Sequence, residues 1–155
     1  MKTLKIAIAV GTLALIANAD VKPPIGEPVL KANAPNLVPI ASRMTKGTVS
    51  VRNTGTAASG PFKVTVECKN LGRGSCVDPG DDAVAPYEDA AFPNKLTVTC
   101  PGLASGHVFN HKIAFWDGLV WPPGNYEFTV VADAAGAVAE TNEGDNTGGT
   151  VMGVP

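Results

Sequence analysis

Phe62-Lys63-Val64-Thr65-Val66-Glu67-Cys68 alternates apolar and polar side chains, with Phe62, Val64, Val66 and Cys68 on one face. Successive side chains of a strand point to opposite faces, so this period of two marks a strand buried on one side and wet on the other. Working outward, Leu96-Thr97-Val98-Thr99-Cys100 repeats the pattern, and Tyr126-Glu127-Phe128-Thr129-Val130-Val131-Ala132 repeats it after Pro122-Pro123-Gly124-Asn125. Upstream, Thr48-Val49-Ser50-Val51-Arg52 alternates and stops at the turn signal Asn53-Thr54-Gly55. A further strand is predicted within His107 to Trp116, its inward face undecided. First and last strands are expected near Leu37 to Ala41 and Thr150 to Val154.

One apolar face per strand is the mark of antiparallel sheet half exposed to water. About seven such strands is the count of an all-β, immunoglobulin-like antiparallel β-sandwich, and Tyr126 opens a late strand, where such folds place a tyrosine corner. Composition agrees: 17 Gly and 13 Pro among 155 residues argue against a helical bundle. A hydrophobic share of 45% with a net charge of −2 excludes a disordered chain. Twelve basic against 14 acidic side chains leave no footprint for nucleic acid. The segment from Gly72 to Asn94 is the irregular part.

Residues 1–19 have the build of a cleaved signal peptide: Lys2 and Lys5, an uncharged run from Ile6 to Ala17, then Ala17-Asn18-Ala19. The run falls short of the ~20 residues that span a bilayer, so no membrane insertion is expected after cleavage. The remainder from Asp20 has 10 basic and 14 acidic side chains. Residues 20–36, with Pro23, Pro24, Pro28 and Pro35, form an extended lead-in, and residues 37–155 form the domain. Export permits disulfides, and Cys68, Cys76 and Cys100 allow one bridge. Gly72 and Gly74 favour a fold-back that joins Cys68 to Cys76. The rival is a core bridge between Cys68 and Cys100, both on apolar strand positions.

Three segments carry a family resemblance. The first is Val49-Ser50-Val51-Arg52-Asn53-Thr54-Gly55 with Pro61-Phe62-Lys63-Val64, and the second is Leu103-Ala104-Ser105-Gly106. The third and most specific runs from Pro123-Gly124-Asn125-Tyr126-Glu127-Phe128 to Asp133, then Val138-Ala139-Glu140-Thr141-Asn142-Glu143-Gly144-Asp145-Asn146. Together they resemble the CARDB domain, the cell-adhesion-related domain found in bacteria. The resemblance covers roughly Leu37 to Val154 and departs from the family by the insertion between Lys69 and Lys95. It implies an immunoglobulin-like module of exported microbial proteins, with an adhesive context and no catalytic residues.

Candidate sites are few. Glu140, Asn142, Glu143 and Asp145 gather hard oxygen ligands of the kind calcium takes, against a structural reading as bonds to backbone amides in a bend. Asp78, Asp81 and Asp82 form a second acidic loop, or simply a solvated turn around Pro79-Gly80. His107 and His111 would share a strand face, but no Cys-x-x-Cys spacing supports zinc. Trp116 and Trp121 bracket Asp117-Gly118-Leu119-Val120 and are the best contact candidates, for a protein or a sugar ring, against packing in the core or at its rim. Gly102-Leu103-Ala104-Ser105-Gly106 misses the spacing of a nucleophile elbow. The expectation is an exported, non-catalytic binding or adhesion module of the periplasm, cell surface or medium, recognising a protein partner. A carbohydrate-binding accessory protein using Trp116 and Trp121, with calcium, is the alternative.

Overall fold

The structure, a computed structural model, describes residues 33–155. The expected signal peptide and most of the lead-in lie outside the described residues. Eight strands form two antiparallel sheets: β1 (Leu37–Pro39), β2 (Thr48–Asn53), β3 (Phe62–Asn70), β4 (Gly74–Ser75), β5 (Leu96–Cys100), β6 (Val108–Lys112), β7 (Gly124–Val131) and β8 (Thr147–Val154). The smaller sheet has the order β1-β2-β6. In the larger, β3 is central, with β7 and then β8 on one side. On its other side lie β5, against Phe62 to Val66, and β4, against Lys69 and Asn70. Every pairing is antiparallel.

The period-two faces meet between the sheets. Val49 and Val51 of the small sheet share one core with Val64, Val66, Phe128 and Val130 of the large one, each at most 1% exposed. Burying a side chain of this size is worth roughly 1.5–3 kcal/mol, so this seam fixes strand register. In β6 the register sets Phe109 opposite Val51 and His111 opposite Val49, so these two face inward. The strand ends at Lys112, and a short 3-10 turn, Trp116–Gly118, follows. Tyr126 forms the expected corner: its hydroxyl donates to the Pro122 carbonyl at 2.7 Å.

Other elements depart from the sequence pattern. The first strand stops at Pro39 and gives way to a 3-10 turn, Ala41–Lys46, which ends at Gly47 with φ 64°. A Cβ on Gly47 would lie 2.1 Å from Trp116 Cγ, so this glycine both turns the chain and seats the indole. The last strand begins at Thr147, three residues before its expected start. In the irregular stretch, Val84 and Tyr87 enter the core, and the Tyr87 hydroxyl accepts from the Ala114 amide at 2.9 Å.

The two ends of the sandwich differ. The chain enters at a first pole, where Asn36 and Leu37 lie by the end of β2 and the bend before β8. It leaves at a second pole, where Val154 pairs with Gly124 and Asn70 with Tyr126.

Candidate functional site

At the first pole, the segment Glu140 to Asn146 lies against the incoming chain. Glu140 is buried; one carboxylate oxygen accepts from the Leu37 amide and the other from Asn146 Nδ2 at 2.9 Å. Glu143 Oε1 accepts from the Glu140 amide at 2.9 Å, and Asn142 Oδ1 from the Gly144 amide at 3.0 Å. Asp145 Oδ2 accepts from Asn36 Nδ2 at 3.0 Å, while Asn36 Oδ1 accepts from the Asn142 amide and the Thr141 hydroxyl. Ala34 and Asn36, placed with the lead-in by sequence, are thereby buried. Burial pushes the Glu140 carboxyl up to about 7, helped by the charges of Glu143 and Asp133 and opposed by its two donors.

These bonds clamp the incoming chain to the bend before β8, and Asp145 Oδ1 and Asn146 Oδ1 are buried there without a hydrogen-bond partner among the described residues. Glu140, Asn142 and Glu143 each have an oxygen that accepts from a backbone N–H, and Asp145 Oδ2 accepts from the Asn36 side-chain amide. Two Asn side-chain amides, partial positive charges, also point into the cluster. Among the described residues no group of three or more His, Cys, Asp and Glu side chains is arranged to hold a metal. The second acidic loop is an exposed turn, with Asp81 Oδ1 accepting from the Ala83 amide at 2.8 Å. His107 is exposed in a turn, whereas His111 is half-buried between Phe109 and Tyr87. Ser105 spends its hydroxyl on the Gly55 carbonyl at 2.6 Å.

The second pole carries the other candidates. Cys68 and Cys76 form a disulfide with Cα atoms 5.4 Å apart, and Cys100 is a buried free thiol. The register explains why the rival pairing fails. Cys100 lies opposite Phe62, six residues along β3 from Cys68, or roughly 20 Å at strand rise, far beyond a bridge's reach. The disulfide ties the end of β4 back to β3 and braces the tip Leu71 to Gly74. Beside it the Trp loop folds inward. Trp116 is buried, with ring centroids 4.8 Å from Trp121 and 5.3 Å from Phe128. Trp121 is half-buried, edge-on to Tyr126 at 4.7 Å. Trp116 therefore has no open ring face, and Trp121 alone of the pair reaches the surface.

Sequence reasoning missed what surrounds Trp121. Leu71 is 61% exposed, Leu119 41% and Val120 89%, three of the four exposed large hydrophobic residues among those described. All three belong to the tip and the loop of this pole. A legible signal existed, since Leu71, Leu119 and Val120 are apolar residues outside every alternating run. Between tip and loop runs a groove of about 240 Å³, walled by Leu119, Val120, Trp121 and Tyr126 on one side and by Asn70 and Arg73 on the other.

A family model, CARDB, matches residues 28–149. No curated protein matches the chain. Among solved structures, one domain of a Methanosarcina acetivorans protein named for the cell surface is 25% identical. The match covers 79% of this chain and 93% of that one, with a TM-score of 0.48. The CARDB domain of a Pyrococcus furiosus protein, solved in complex with di-metal ions, is 19% identical. That match covers 68% of this chain and 73% of that one, with a TM-score of 0.35.

Proposed function

The chain belongs to the CARDB family, and from that premise we propose that it is an exported, non-catalytic module that binds a protein partner through its second pole. One observation carries the reading: Leu71, Leu119 and Val120, three of the four exposed large hydrophobic residues among those described, all lie in the tip and the loop of one pole. Water-exposed apolar clusters of this kind mark contact surfaces, and an aromatic in their midst is a common anchor. The disulfide supports the rest of the reading, because it persists in oxidising compartments and holds the tip before any partner arrives. The leader-like residues 1–19 supply the route out of the cell.

The test is crosslinking of the mature protein in its native cells, with recovered protein and glycan identified by mass spectrometry. The doubly substituted Leu71→Asp, Val120→Asp protein runs in parallel. Both positions are exposed, so its melting temperature should match the parent's. One dominant protein species, lost from the double variant, is the expected outcome. Enrichment of a polysaccharide, or a partner held equally by both proteins, overturns the proposal.

A further inference from the structure

We infer that the groove between the disulfide-braced tip and the Trp loop receives an apolar side chain flanked by an Asp or Glu carboxylate on the protein partner. The inference rests on the partner-binding reading above and adds the chemistry of what is bound. Size is the first argument. At about 240 Å³ the groove lies below the roughly 300 Å³ at which pockets begin to enclose small molecules. It suits one protruding side chain of a protein, the kind of knob that dominates interface energetics.

Wall chemistry is the second. Trp121 and Tyr126, with Leu119 and Val120, offer apolar contact to such a knob. The opposite wall carries a cation, Arg73, beside the side chains of Asn70 and Ser75 in the lining. Arg73 has no side-chain hydrogen bond or ion pair among the described residues. Asn70 is buried; its Oδ1 accepts from the Gly72 amide at 3.0 Å, while its Nδ2 makes no hydrogen bond among the described residues. Ser75, also on this wall, closes its hydroxyl on Val77. An unpaired guanidinium on the same groove as an unbonded carboxamide N–H₂ is complementary to an anion that only accepts. An anion next to an apolar knob, on a surface that takes side chains, is an acidic residue beside a hydrophobic one.

The probes are two blocked dipeptides, acetyl-Phe-Asp-amide and acetyl-Phe-Asn-amide, titrated into the isotopically labelled full domain at low salt. Amide and indole N–H resonances are followed by NMR. The acidic peptide should shift Leu71, Arg73, Val120 and the Trp121 indole, and bind about fivefold tighter than its amide twin, the weight of one exposed charged contact. In Arg73→Glu, an exposed position whose change should leave the melt unaltered, that preference should vanish. Equal binding of the two peptides, shifts confined to other surfaces, or no shift at about 10 mM peptide would overturn the inference. The crosslinking result separates the two levels. A partner captured alike by the parent and by Arg73→Glu defeats the carboxylate inference and leaves partner binding standing. No captured partner defeats the broader reading, whatever the peptides do.

Discussion

Asn53 shows how much a single polar side chain can organise. It is fully buried, its Oδ1 accepts from the Asn36 and Gly55 amides, and its Nδ2 donates to the Ala57 and Leu103 carbonyls. Asn53→Ala would leave the Asn36 and Gly55 amides and the Ala57 carbonyl without this partner, while the Leu103 carbonyl keeps the Ser59 amide; buried unsatisfied groups cost about 1–3 kcal/mol each before water relieves some of them. Chemical denaturation should therefore show a loss of at least about 2 kcal/mol, with an unchanged m-value. Glu140 makes a second prediction at this scale. Its carboxyl ionises near 4.5 in the unfolded chain and near 7 in the folded one. The folded state thus holds the proton more tightly, so Glu140 lowers stability as pH rises from about 4.5 to about 7, and is flat above. Across pH 5 to 8, the melting temperature of the parent should fall more steeply than that of Glu140→Gln. Parallel curves would mean that the buried carboxyl does not titrate in this window. The sequence placed Asn53 in a turn and Glu140 among oxygen ligands, both sound as residue chemistry. Their partners come from segments up to 103 residues away, and such pairings are fixed by tertiary packing rather than by local pattern.

At the scale of elements, legibility follows side-chain contrast. β3, β5 and β7 were readable because Val, Phe and Leu alternate with Lys, Thr and Glu. The first residues of β8 were not, because Gly148 and Gly149 have no side chain to alternate. Gly148 also sits at a close approach: a Cβ would stand 3.3 Å from the side chains of Pro39 and Ala41, where the 3-10 turn lies along the strand. β4 is two residues long and exists through pairing with β3 beside the disulfide, so no periodicity could announce it. That bridge makes a clear prediction. Denatured but unreduced protein should take up one equivalent of alkylating reagent, at Cys100, and three after reduction. Closing a loop of this length stabilises by about 2.5 kcal/mol in the chain-entropy account, so reductant should lower the melting temperature. Amide exchange should quicken most at Leu71 to Ser75. Three alkylated sites before reduction would mean an open bridge.

For the whole molecule, the arrangement of poles decides how a load passes through it. β1 and β8 both run from the first pole toward the second, and the chain is reached at opposite ends: before β1 at one pole, after β8 at the other. Ladder bonds lie across the strands, so tension between Asn33 and Pro155 strains the β7–β8 bonds sideways and together. Tension between Asn125 and Pro155, neighbours at the second pole, strains them one after another from that end. Single-molecule pulling should accordingly give a higher rupture force for the first pair of handles than for the second, and equal forces would show that the β7–β8 ladder does not bear the load. The clamp of Glu140, Asp145 and Asn36 adds a second fastening at the opposite end, so neither terminal strand can be drawn out alone at low tension. A domain threaded in this way is a tie rod: a load applied along its chain crosses the β7–β8 ladder in shear rather than peeling it open.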